Sequence, residues 1–257
     1  MLILIAESKT MTACDKVVTP EEFSEHRPLF DPLAANIMSR LEDKSIEEIS
    51  NIIGISISLA RQMKTMIYEF PNKSLGEEAI RAYTGVVFKA LDYNSLDENG
   101  KGNCIKKVKI ISSLYGWLNA DDIIKSYRTE FKSEIAPLSA PLWKYYRQHN
   151  TIALGKCLTA NGYTEILNLL PGDAAKSIDW KTIKRFAKVY KADFVEVSEK
   201  GEKTPNAGKL KKLRGELLRD ILSAGIERIL DLKDLEGDNY IFEGTPLYPD
   251  HLLFTTD

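Results

Sequence analysis

The sequence predicts an α+β (mixed α/β) fold in a single compact domain. Short apolar runs typical of buried strands alternate with amphipathic stretches at helical spacing, without a regular βαβ rhythm. The chain has 257 residues, of which 44 % are hydrophobic, and this is enough to bury a substantial core. It contains no internal repeat, no linker longer than a turn and no low-complexity tract. We therefore expect one domain over residues 1–257, with a helical portion at about 32–70.

The N-terminal part is predicted to begin with a strand and to continue with helices. LILIA at 2–6 is a continuous apolar run that predicts a buried strand, and a Glu-Ser-Lys-Thr segment at 7–10 follows it. Residues 32–41 carry apolar side chains at helical spacing. Ser45, with Glu48 three residues later, is the capping-box pattern, so the next helix is expected to begin here.

The remaining elements are predicted from periodicity and turn residues. We expect a helix at 77–91 broken at Gly85, a turn-rich loop at 97–103, a strand at 108–112, a short helix at 120–127 and an alternating strand at 127–135. These are followed by a helix at 141–158, a strand at 166–170, an antiparallel strand at 188–197, a turn at 201–206, a helix at 209–229 and closing strands at 240–242 and 252–254.

Composition argues against several classes of protein. Three cysteines (Cys14, Cys104 and Cys157) lie far apart without CxxC spacing, and the three histidines are scattered, so we expect neither a disulfide framework nor a metal site. No segment approaches the ~20 apolar residues of a membrane span, and the N-terminal apolar run is too short for a signal peptide. The sequence thus predicts a soluble cytoplasmic protein that binds no cofactor and no membrane.

Charge is distributed unevenly along the chain. The net charge is −2, yet residues 176–219 contain 13 Lys and Arg against 6 Asp and Glu. The remainder of the chain is therefore acidic. A basic segment of this kind is a candidate surface for a polyanion, although a solvated helix face would have the same composition.

The stretch NIIGISISLARQM (51–63) interrupts one amphipathic helix with a glycine and at once starts another. A glycine between Ile53 and Ile55 permits a tight turn with positive φ. Such a turn leaves backbone N–H groups exposed at the N-terminus of the second helix, where the positive end of the helix dipole also lies. This pattern is the core of a helix-hairpin-helix, which binds phosphate. An ordinary packing corner between two helices is the alternative.

The hairpin would contact the DNA backbone and would therefore carry no sequence information. Its candidate DNA-binding residues are Gly54, Ile55, Ser56, Ser58, Arg61 and Lys64. The pattern departs from the usual hairpin at two positions, because a second glycine is commoner where Ser56 stands and a proline where Ile57 stands.

Five further stretches resemble one family, and they follow its order. They are MLILIAESKTM with Ser8, Lys9 and Thr10; SSLYGWLNADDIIKSYRTEF (112–131) with Leu114-Tyr115-Gly116 and Tyr127-Arg128-x-Glu130; LWKYY (142–146); ILNLLPGDAAKSI (166–178) with Asn168 and Lys176; and KKLRGELLRDIL (211–222). Together with the hairpin, they resemble the peroxide stress resistance protein YaaA family over nearly the whole chain.

The resemblance implies a cytoplasmic protein of the oxidative-stress response that lowers free iron and so limits hydroxyl-radical damage. It also implies a compact α/β fold and binding of double-stranded DNA through the hairpin and a basic cleft. The basic residues within the matching motifs are Lys9, Arg128, Lys176, Lys211, Lys212 and Arg214. Few histidines and no Glu-x-x-His pair indicate that any effect on iron is indirect.

The sequence also departs from the family. Gly-Asp-Val-Tyr is replaced by Gly-Val-Val-Phe at 85–88, Leu-Arg-Pro is Leu-Asn-Ala at 118–120, and a tyrosine expected shortly before Lys176 is missing. An acid, an arginine and two tyrosine hydroxyls are lost, whereas the six basic residues named above remain. This favours anion binding over proton transfer.

An enzyme acting on a nucleotide or a modified base is the alternative function. Lys9, Thr10, Tyr115, Arg128 and Glu130 would meet in one cleft at a strand end. Lys9 would serve there as a phosphate clamp or, if desolvated, as a nucleophile, and we rank the clamp first. Arg128 and Glu130 are two residues apart, so on a strand they would share a face, where they could form an ion pair or contact a ligand. Because no nucleophile–base pair is visible in the sequence, we rank DNA binding first.

Overall fold

The computed structural model describes residues 1–138, 140–198, 201–235, 237–245 and 250–256. The strands in this part of the chain are β1 (Leu2–Ala6), β2 (Lys16–Val17), β3 (Leu75–Glu78), β4 (Val108–Ser112), β5 (Gly116–Asn119), β6 (Ile123–Ile124), β7 (Glu165–Asn168), β8 (Lys188–Ser198), β9 (Gly201–Lys203), β10 (Ile241–Gly244) and β11 (His251–Thr256).

The α-helices connect the strands and cover both faces of the main sheet. They are α1 (Pro20–Glu25), α2 (Asp31–Ser39), α3 (Ile46–Ile53), α4 (Ile57–Glu69), α5 (Ala79–Ala82), α6 (Val86–Leu91), α7 (Glu98–Lys107), α8 (Leu142–Asn161), α9 (Gly172–Ala175), α10 (Trp180–Ile183) and α11 (Ala207–Ser223). Short 3₁₀ helices span Tyr93–Ser95 and Ile229–Asp234. None of the helices in the described part of the chain is long and apolar enough to cross a membrane. The predicted mixed α/β class is thus confirmed.

The main sheet is built around β1. This strand pairs in parallel with β4 on one side and with β7 on the other, and β8 and β11 continue the parallel part of the sheet. The strand order is β10-β11-β8-β7-β1-β4-β5, with β9 on β8, while β2, β3 and β6 form a small antiparallel sheet. The chain leaves β1 for β4 and later returns to β7 on the opposite side, so the switch point lies between β1 and β7. We call the carboxyl ends of β1, β4 and β7 the carboxyl edge.

Both faces of β1 are buried, which explains its uninterrupted apolar sequence. Ile3 and Ile5 belong to a large core that includes residues of α3, α4, α6 and α11. Leu2 and Leu4 belong to a second core formed with the C-terminal half of α8 and with α10. A parallel strand covered on both sides needs apolar residues at successive positions rather than at alternate ones.

The predicted loop at 97–103 is wrong, because α7 begins at Glu98. The side chain of Asp97 caps this helix by accepting the Gly100 N–H at 2.7 Å. Gly100 is buried against Leu96, and Cys104 is fully buried. The cap and this burial outweigh the ~1 kcal/mol that each glycine costs inside a helix.

The predicted helix at 120–127 and strand at 127–135 are also wrong. Asp122 accepts the Asn119 N–H at 2.8 Å and closes a turn there, after which only the two residues of β6 pair with β3. Residues 127–135, all of them described, make a single isolated bridge at Glu134 instead of a ladder. The alternation of apolar and polar residues in this segment therefore reflects side chains that form hydrogen bonds inside the protein, and not strand pairing.

The C-terminal half differs from its prediction in pairing and in bounds. Strand β8 is parallel to both β7 and β11, and it is antiparallel only to β9, which replaces part of the predicted turn at 201–206. Helix α11 ends at Ser223 rather than near 229, because Gly225 adopts a positive φ of 66°. In the predicted helix at 77–91, β3 ends at Glu78, and only the short α5 and α6 are helical.

Candidate functional site

A tight turn joins α3 to α4. Gly54 ends α3 in the left-handed conformation, with φ of 76°, and its N–H and that of Ile55 both bond to the Ser50 carbonyl. The Ser50 hydroxyl donates to the Ile55 carbonyl at 2.6 Å. Ser56 then caps α4 by accepting the Leu59 N–H at 3.3 Å. We call the two helices and this turn, residues 46–69, the hairpin.

The turn presents the N-terminus of α4 to solvent. Gly54, Ser56, Ile57 and Ser58 are all exposed, and a Cβ added at Gly54 would meet no atom within 4 Å. The N–H groups of Ile57 and Ser58 belong to the first helical turn and so have no partner within their own helix. Arg61, one turn further, is also exposed. The hairpin can therefore offer N–H groups, the helix dipole and one cation to an anion.

Lys64 has a different role from its neighbour Arg61. Its ammonium donates to the Lys44 carbonyl at 2.8 Å and also to the Glu42 carbonyl. It thereby ties α4 to the segment that precedes α3. This tether lies at the end of the hairpin opposite the turn, together with the acidic first turn of α3.

The hairpin packs directly against the segment that carries the Tyr-Arg-x-Glu motif. Met63 of α4 accepts the backbone N–H of Arg128 through its sulfur at 3.2 Å, and the Ser133 hydroxyl donates to the Ile53 carbonyl at 3.5 Å. The two motifs that are far apart in sequence are therefore neighbours in the fold.

Four of the five predicted cleft residues lie together beside the end of β1. Lys9 Nζ lies 2.7 Å from Glu130 Oε1, and the Arg128 guanidinium donates to the Lys9 carbonyl. Thr10 donates its N–H to the Ser8 hydroxyl at 3.2 Å. Arg128 and Glu130 thus bind the same lysine and do not pair with each other along a strand. We call Lys9, Thr10, Arg128 and Glu130 the Lys9 cluster.

A second set of polar groups lies in the fold beneath the Lys9 cluster. Tyr127 donates its hydroxyl to Oε2 of Glu7, the residue that follows β1, and the Ser113 N–H donates to the same oxygen at 2.9 Å. The Tyr127 oxygen also lies 2.6 Å from the Tyr83 hydroxyl and 2.7 Å from the Ser112 hydroxyl. We call Glu7, Tyr83, Ser112, Ser113 and Tyr127 the Glu7 network.

Burial dominates the electrostatics of the Glu7 network. It raises the pKa of Glu7 from 4.5 to about 7, although the bonds from Ser113 and Tyr127 favour the ionised form and act in the opposite direction. Burial also raises the pKa of Tyr83 and of Tyr127 well above 10. Near neutral pH both tyrosines are therefore neutral, while Glu7 exists in both protonation states.

Tyr115, the fifth predicted cleft residue, lies outside the Lys9 cluster. Its side chain is buried, and its hydroxyl accepts the backbone N–H of Lys125 at 3.1 Å. The following Gly116 has a φ of 68°, and a Cβ at this position would overlap the ring of Tyr146. The Leu-Tyr-Gly motif therefore forms a packed turn between β4 and β5.

The predicted basic residues of α11 divide between the surface and the packed interior. Lys211 and Lys212 are exposed, and Nζ of Lys212 lies 3.2 Å from Oε1 of Glu216. Arg214 is half-buried, and burial lowers its pKa. Lys176 follows β7 in the chain, and its Nζ lies 3.1 Å from Oδ1 of Asp173.

Helix α11 brings Lys211 towards the carboxyl edge. A Cβ at Gly215 would overlap the Val87 carbonyl, and Arg219 donates to the Leu91 carbonyl at 2.9 Å, so α11 and α6 run in parallel at close contact. Lys211 lies one turn before Gly215 on the same face, which places it towards the start of α6. The start of α6, at Gly85, packs against Ser8.

Sequence reasoning missed the Glu7 network. Tyr127 and Glu7 both lie within the family motifs, but Tyr83 lies far away in sequence and shows no pattern of its own. A charged residue directly after a fully apolar strand is the one signal that points to Glu7, since the end of a central parallel strand is a buried position. Among the described residues, no group of three or more His, Cys, Asp or Glu is arranged to hold a metal ion.

These observations define a class of protein: a mixed α/β fold with polar side chains at the carboxyl edge of a central parallel sheet and an exposed helical hairpin packed beside them. The chain belongs to the peroxide stress protein YaaA family, whose family model matches residues 1–245.

Curated relatives of similar length carry the name "UPF0246 protein". The protein from Parabacteroides distasonis is 29% identical over 259 residues, covering 94% of this chain and 99% of the relative. That from Francisella philomiragia is 27% identical over 246 residues, with 94% of each chain covered. That from Bacteroides thetaiotaomicron is 28% identical over 246 residues, covering 95% of this chain and 93% of the relative.

Proposed function

We propose that the protein binds double-stranded DNA without sequence specificity, through the hairpin, as its contribution to the peroxide stress response. One observation carries this proposal: left-handed Gly54 exposes the first turn of α4, where Ile57 and Ser58 have N–H groups without a partner in their helix. These groups and the helix dipole suit a phosphate oxygen. The N–H groups and the helix dipole contact phosphate and not the bases. Binding would therefore depend on the shape and charge of the duplex and not on its sequence.

Nearby cations would extend the contact along the phosphate backbone. Arg61 is exposed on α4, and Arg128 lies on the segment against which the hairpin packs and donates to the Lys9 carbonyl. Lys211 lies towards the same edge. A continuous duplex could contact the turn first and this basic surface next. Lys64 contributes to the hairpin as a tether, because its ammonium is already bound to two carbonyls.

In the cell, we place this activity in the cytoplasm, on DNA exposed to iron and peroxide. Ferrous iron and hydrogen peroxide generate hydroxyl radicals, and these damage the DNA nearest to them. A protein that covers the duplex backbone would limit this damage without holding iron itself. The proposal therefore needs no metal site of its own.

The test is fluorescence anisotropy of the purified protein with a labelled duplex, titrated with salt. We expect affinity to fall steeply, with log K decreasing by about 0.9 per unit of log salt for each phosphate contacted. Single-stranded DNA of the same length would bind more weakly. Absence of duplex binding at low salt would overturn the proposal.

The chain offers a matched pair of variants for the hairpin. Gly162 ends α8 in the same left-handed conformation as Gly54, is equally exposed, and a Cβ there would also meet nothing within 4 Å. Gly54→Val and Gly162→Val therefore introduce the same backbone strain, about 1–2 kcal/mol each. We expect only Gly54→Val to weaken duplex binding, by roughly tenfold. Equal affinity in the two variants would show that the hairpin is a packing corner.

A second candidate function is an enzyme that acts on a nucleotide or a modified base. The observation that favours it is the position of the Lys9 cluster at the carboxyl edge, beside the switch point of the sheet, where open α/β sheets bind ligands. Nucleotide binding that survives Gly54→Val would separate this function from duplex binding.

A further inference from the structure

The bonds of the Glu7 network run in one direction. The Ser112 oxygen accepts the N–H groups of Leu114 at 3.1 Å and of Tyr115 at 3.0 Å, so its own proton is left for Tyr127. The Tyr127 proton goes to Glu7. A tyrosine hydroxyl has one proton to donate, so the Tyr127 oxygen accepts from both Ser112 and Tyr83. The hydroxyls of Ser112, Tyr83 and Tyr127 therefore all point, directly or through Tyr127, towards Glu7.

This polarity decides which Glu7 oxygen can carry a proton. Oε2 accepts the Tyr127 hydroxyl and the Ser113 N–H at 2.9 Å, and two such donors occupy its lone pairs. These bonds leave Oε1 as the oxygen better placed to take up a proton. Tyr127 and Ser113 hold the carboxyl group in one orientation, as the partners of an acid–base residue do. Glu7 as a residue is half-buried, and burial of its carboxyl raises the pKa to about 7, so both states are populated near neutral pH.

The surroundings of Glu7 indicate the chemical class of ligand. Ser8, Lys9 and Thr10 follow it directly, and the Arg128 guanidinium is fixed on the Lys9 carbonyl. Cations and hydroxyls next to a carboxyl that exchanges a proton suit a molecule with a phosphate at one end and a titratable ring nitrogen or hydroxyl at the other. A nucleoside monophosphate has both. Glu130, a charged group beside these residues, is paired with Lys9.

We infer that Glu7 exchanges a proton with the base or sugar of a nucleoside monophosphate bound at the carboxyl edge, with Tyr127 and Ser113 as positioning residues. This inference rests on the second candidate function and adds its acid–base residue, which neither the motifs nor the family name specifies. The phosphate would lie against Lys9 and Arg128, and the base or sugar would reach Oε1. Duplex binding by the hairpin does not require Glu7.

The experiment is isothermal titration calorimetry with AMP, GMP, CMP and UMP between pH 6 and pH 8, in two buffers with different ionisation enthalpies. The difference between buffers gives the number of protons exchanged on binding. We expect at least one nucleotide to bind with a fractional proton exchange that changes sign or size across pH 7. Glu7→Gln should remove the part of this exchange that comes from the carboxyl, leaving only that of the phosphate, whose second pKa is ~6, and should weaken binding about tenfold. The control Glu243→Gln, an exposed carboxyl on the outermost strand β10, should leave both unchanged.

Tyr127→Phe gives a readout that a structural role would not produce. It removes a donor to the ionised carboxyl, so the pKa of Glu7 should rise further, and the midpoint of proton exchange should move up by ~1 pH unit. Carbon-13 NMR titration of the Glu7 carboxyl in the unaltered protein provides the same midpoint without any variant. A Glu7 midpoint below pH 5 would overturn the inference.

The possible outcomes distinguish the role of Glu7 from nucleotide binding and from duplex binding. Nucleotide binding with the same proton exchange in Glu7→Gln as in the unaltered protein overturns the role of Glu7 but keeps the second candidate function. Failure of all four nucleotides to bind at millimolar concentration removes that function, and the inference with it. Neither outcome affects duplex binding, which is measured separately by anisotropy.

Discussion

The hairpin and the carboxyl edge both depend on glycine, but for different physical reasons. At Gly54 the backbone has a positive φ and the space around it is empty, so only conformation requires the glycine. At Gly85 a Cβ would overlap Ser8, so space alone requires the glycine, whereas at Gly116 both the positive φ and overlap with Tyr146 require it. The first glycine leaves a surface open to an outside partner. The other two bring parts of the protein itself into contact.

The polar groups of the hairpin and of the carboxyl edge differ in the same way: those of the hairpin are open to solvent, and those of the carboxyl edge are bonded within the protein. The N–H groups at the start of α4 face solvent, whereas the polar groups of the Glu7 network bond to one another inside the fold. A ligand at the hairpin would therefore gain bonds that the protein does not make. A ligand at the carboxyl edge would meet groups that are already oriented. The following substitutions test this contrast, from the largest expected effect to the smallest.

Gly116→Ala should have the largest effect on stability. The new Cβ overlaps the Tyr146 ring in a turn with φ of 68°, so overpacking and backbone strain add together. We expect a loss of roughly 3 kcal/mol in the free energy of unfolding, measured by urea denaturation. Gly162→Ala is the control, with strain alone and a loss of about 1 kcal/mol. Equal losses in the two variants would show that space at Gly116 is unimportant.

Glu7→Gln should change the pH dependence of stability. The folded-state pKa of Glu7, about 7, lies above its unfolded value of 4.5, so the folded protein binds more protons between these values. The contribution of this carboxyl to stability is therefore present below pH 4.5 and is lost as pH rises to about 7. Relative to the unaltered protein, Glu7→Gln should gain roughly 2 kcal/mol in the free energy of unfolding between pH 5 and pH 8.

Asp122 has a pKa raised to about 7 by the same cause, but it is present in both proteins and cancels in this comparison. Thermal unfolding in a series of buffers gives the required difference. A constant difference between Glu7→Gln and the unaltered protein across this pH range would contradict the elevated pKa of Glu7.

Lys64→Met and Arg61→Met should separate stability from binding within one helix. Loss of the Lys64 tether removes bonds to two carbonyls and should cost about 1–2 kcal/mol in the free energy of unfolding, with little change in duplex affinity at equal folded fraction. Arg61 is exposed, so its removal should leave stability unchanged, weaken duplex binding several-fold and reduce the salt slope by ~1. The reverse pattern would assign the phosphate contact to Lys64.

Glu130→Gln should have the smallest effect on stability. The Lys9–Glu130 pair is short, at 2.7 Å, but the Lys9 side chain is 64% exposed, and exposed pairs contribute only ~0.5 kcal/mol. Removing the carboxylate also frees Lys9 for an anion, so nucleotide or duplex affinity should rise slightly. A loss greater than ~1.5 kcal/mol in urea denaturation would place this pair in the structural core of the carboxyl edge.

The elements that sequence predicted best are those whose burial matches a simple pattern. The apolar run at 2–6 predicted β1 because both faces of this strand are covered, and the Ser45–Glu48 capping box predicted the start of α3, where both reciprocal bonds form. The segment 97–103 was mistaken for a loop, because its glycines and polar residues mask a helix whose cap and buried Cys104 hold it in place.

The sequence likewise predicts only part of the candidate site, namely the residues that lie in local motifs. Lys9, Thr10, Arg128 and Glu130 were named from local motifs, and the fold brings them together. For Tyr115 the sequence allows either a cleft or a packed turn, since a tyrosine beside a glycine fits both, and the structure has the packed turn. Tyr83 and Glu7 meet only through Tyr127, and no spacing in the sequence reports such a long-range bond.

The most direct test of the central claim, that the hairpin turn binds the phosphate backbone of duplex DNA, is an amide NMR titration of the labelled protein with a short duplex. The account predicts that the amide resonances of Ser56, Ile57 and Ser58 shift first and that those around Gly162 do not move. It also predicts that added salt reverses the shifts, since the contacts are electrostatic. Shifts confined to other surfaces, with the three hairpin amides unmoved at saturation, would contradict it.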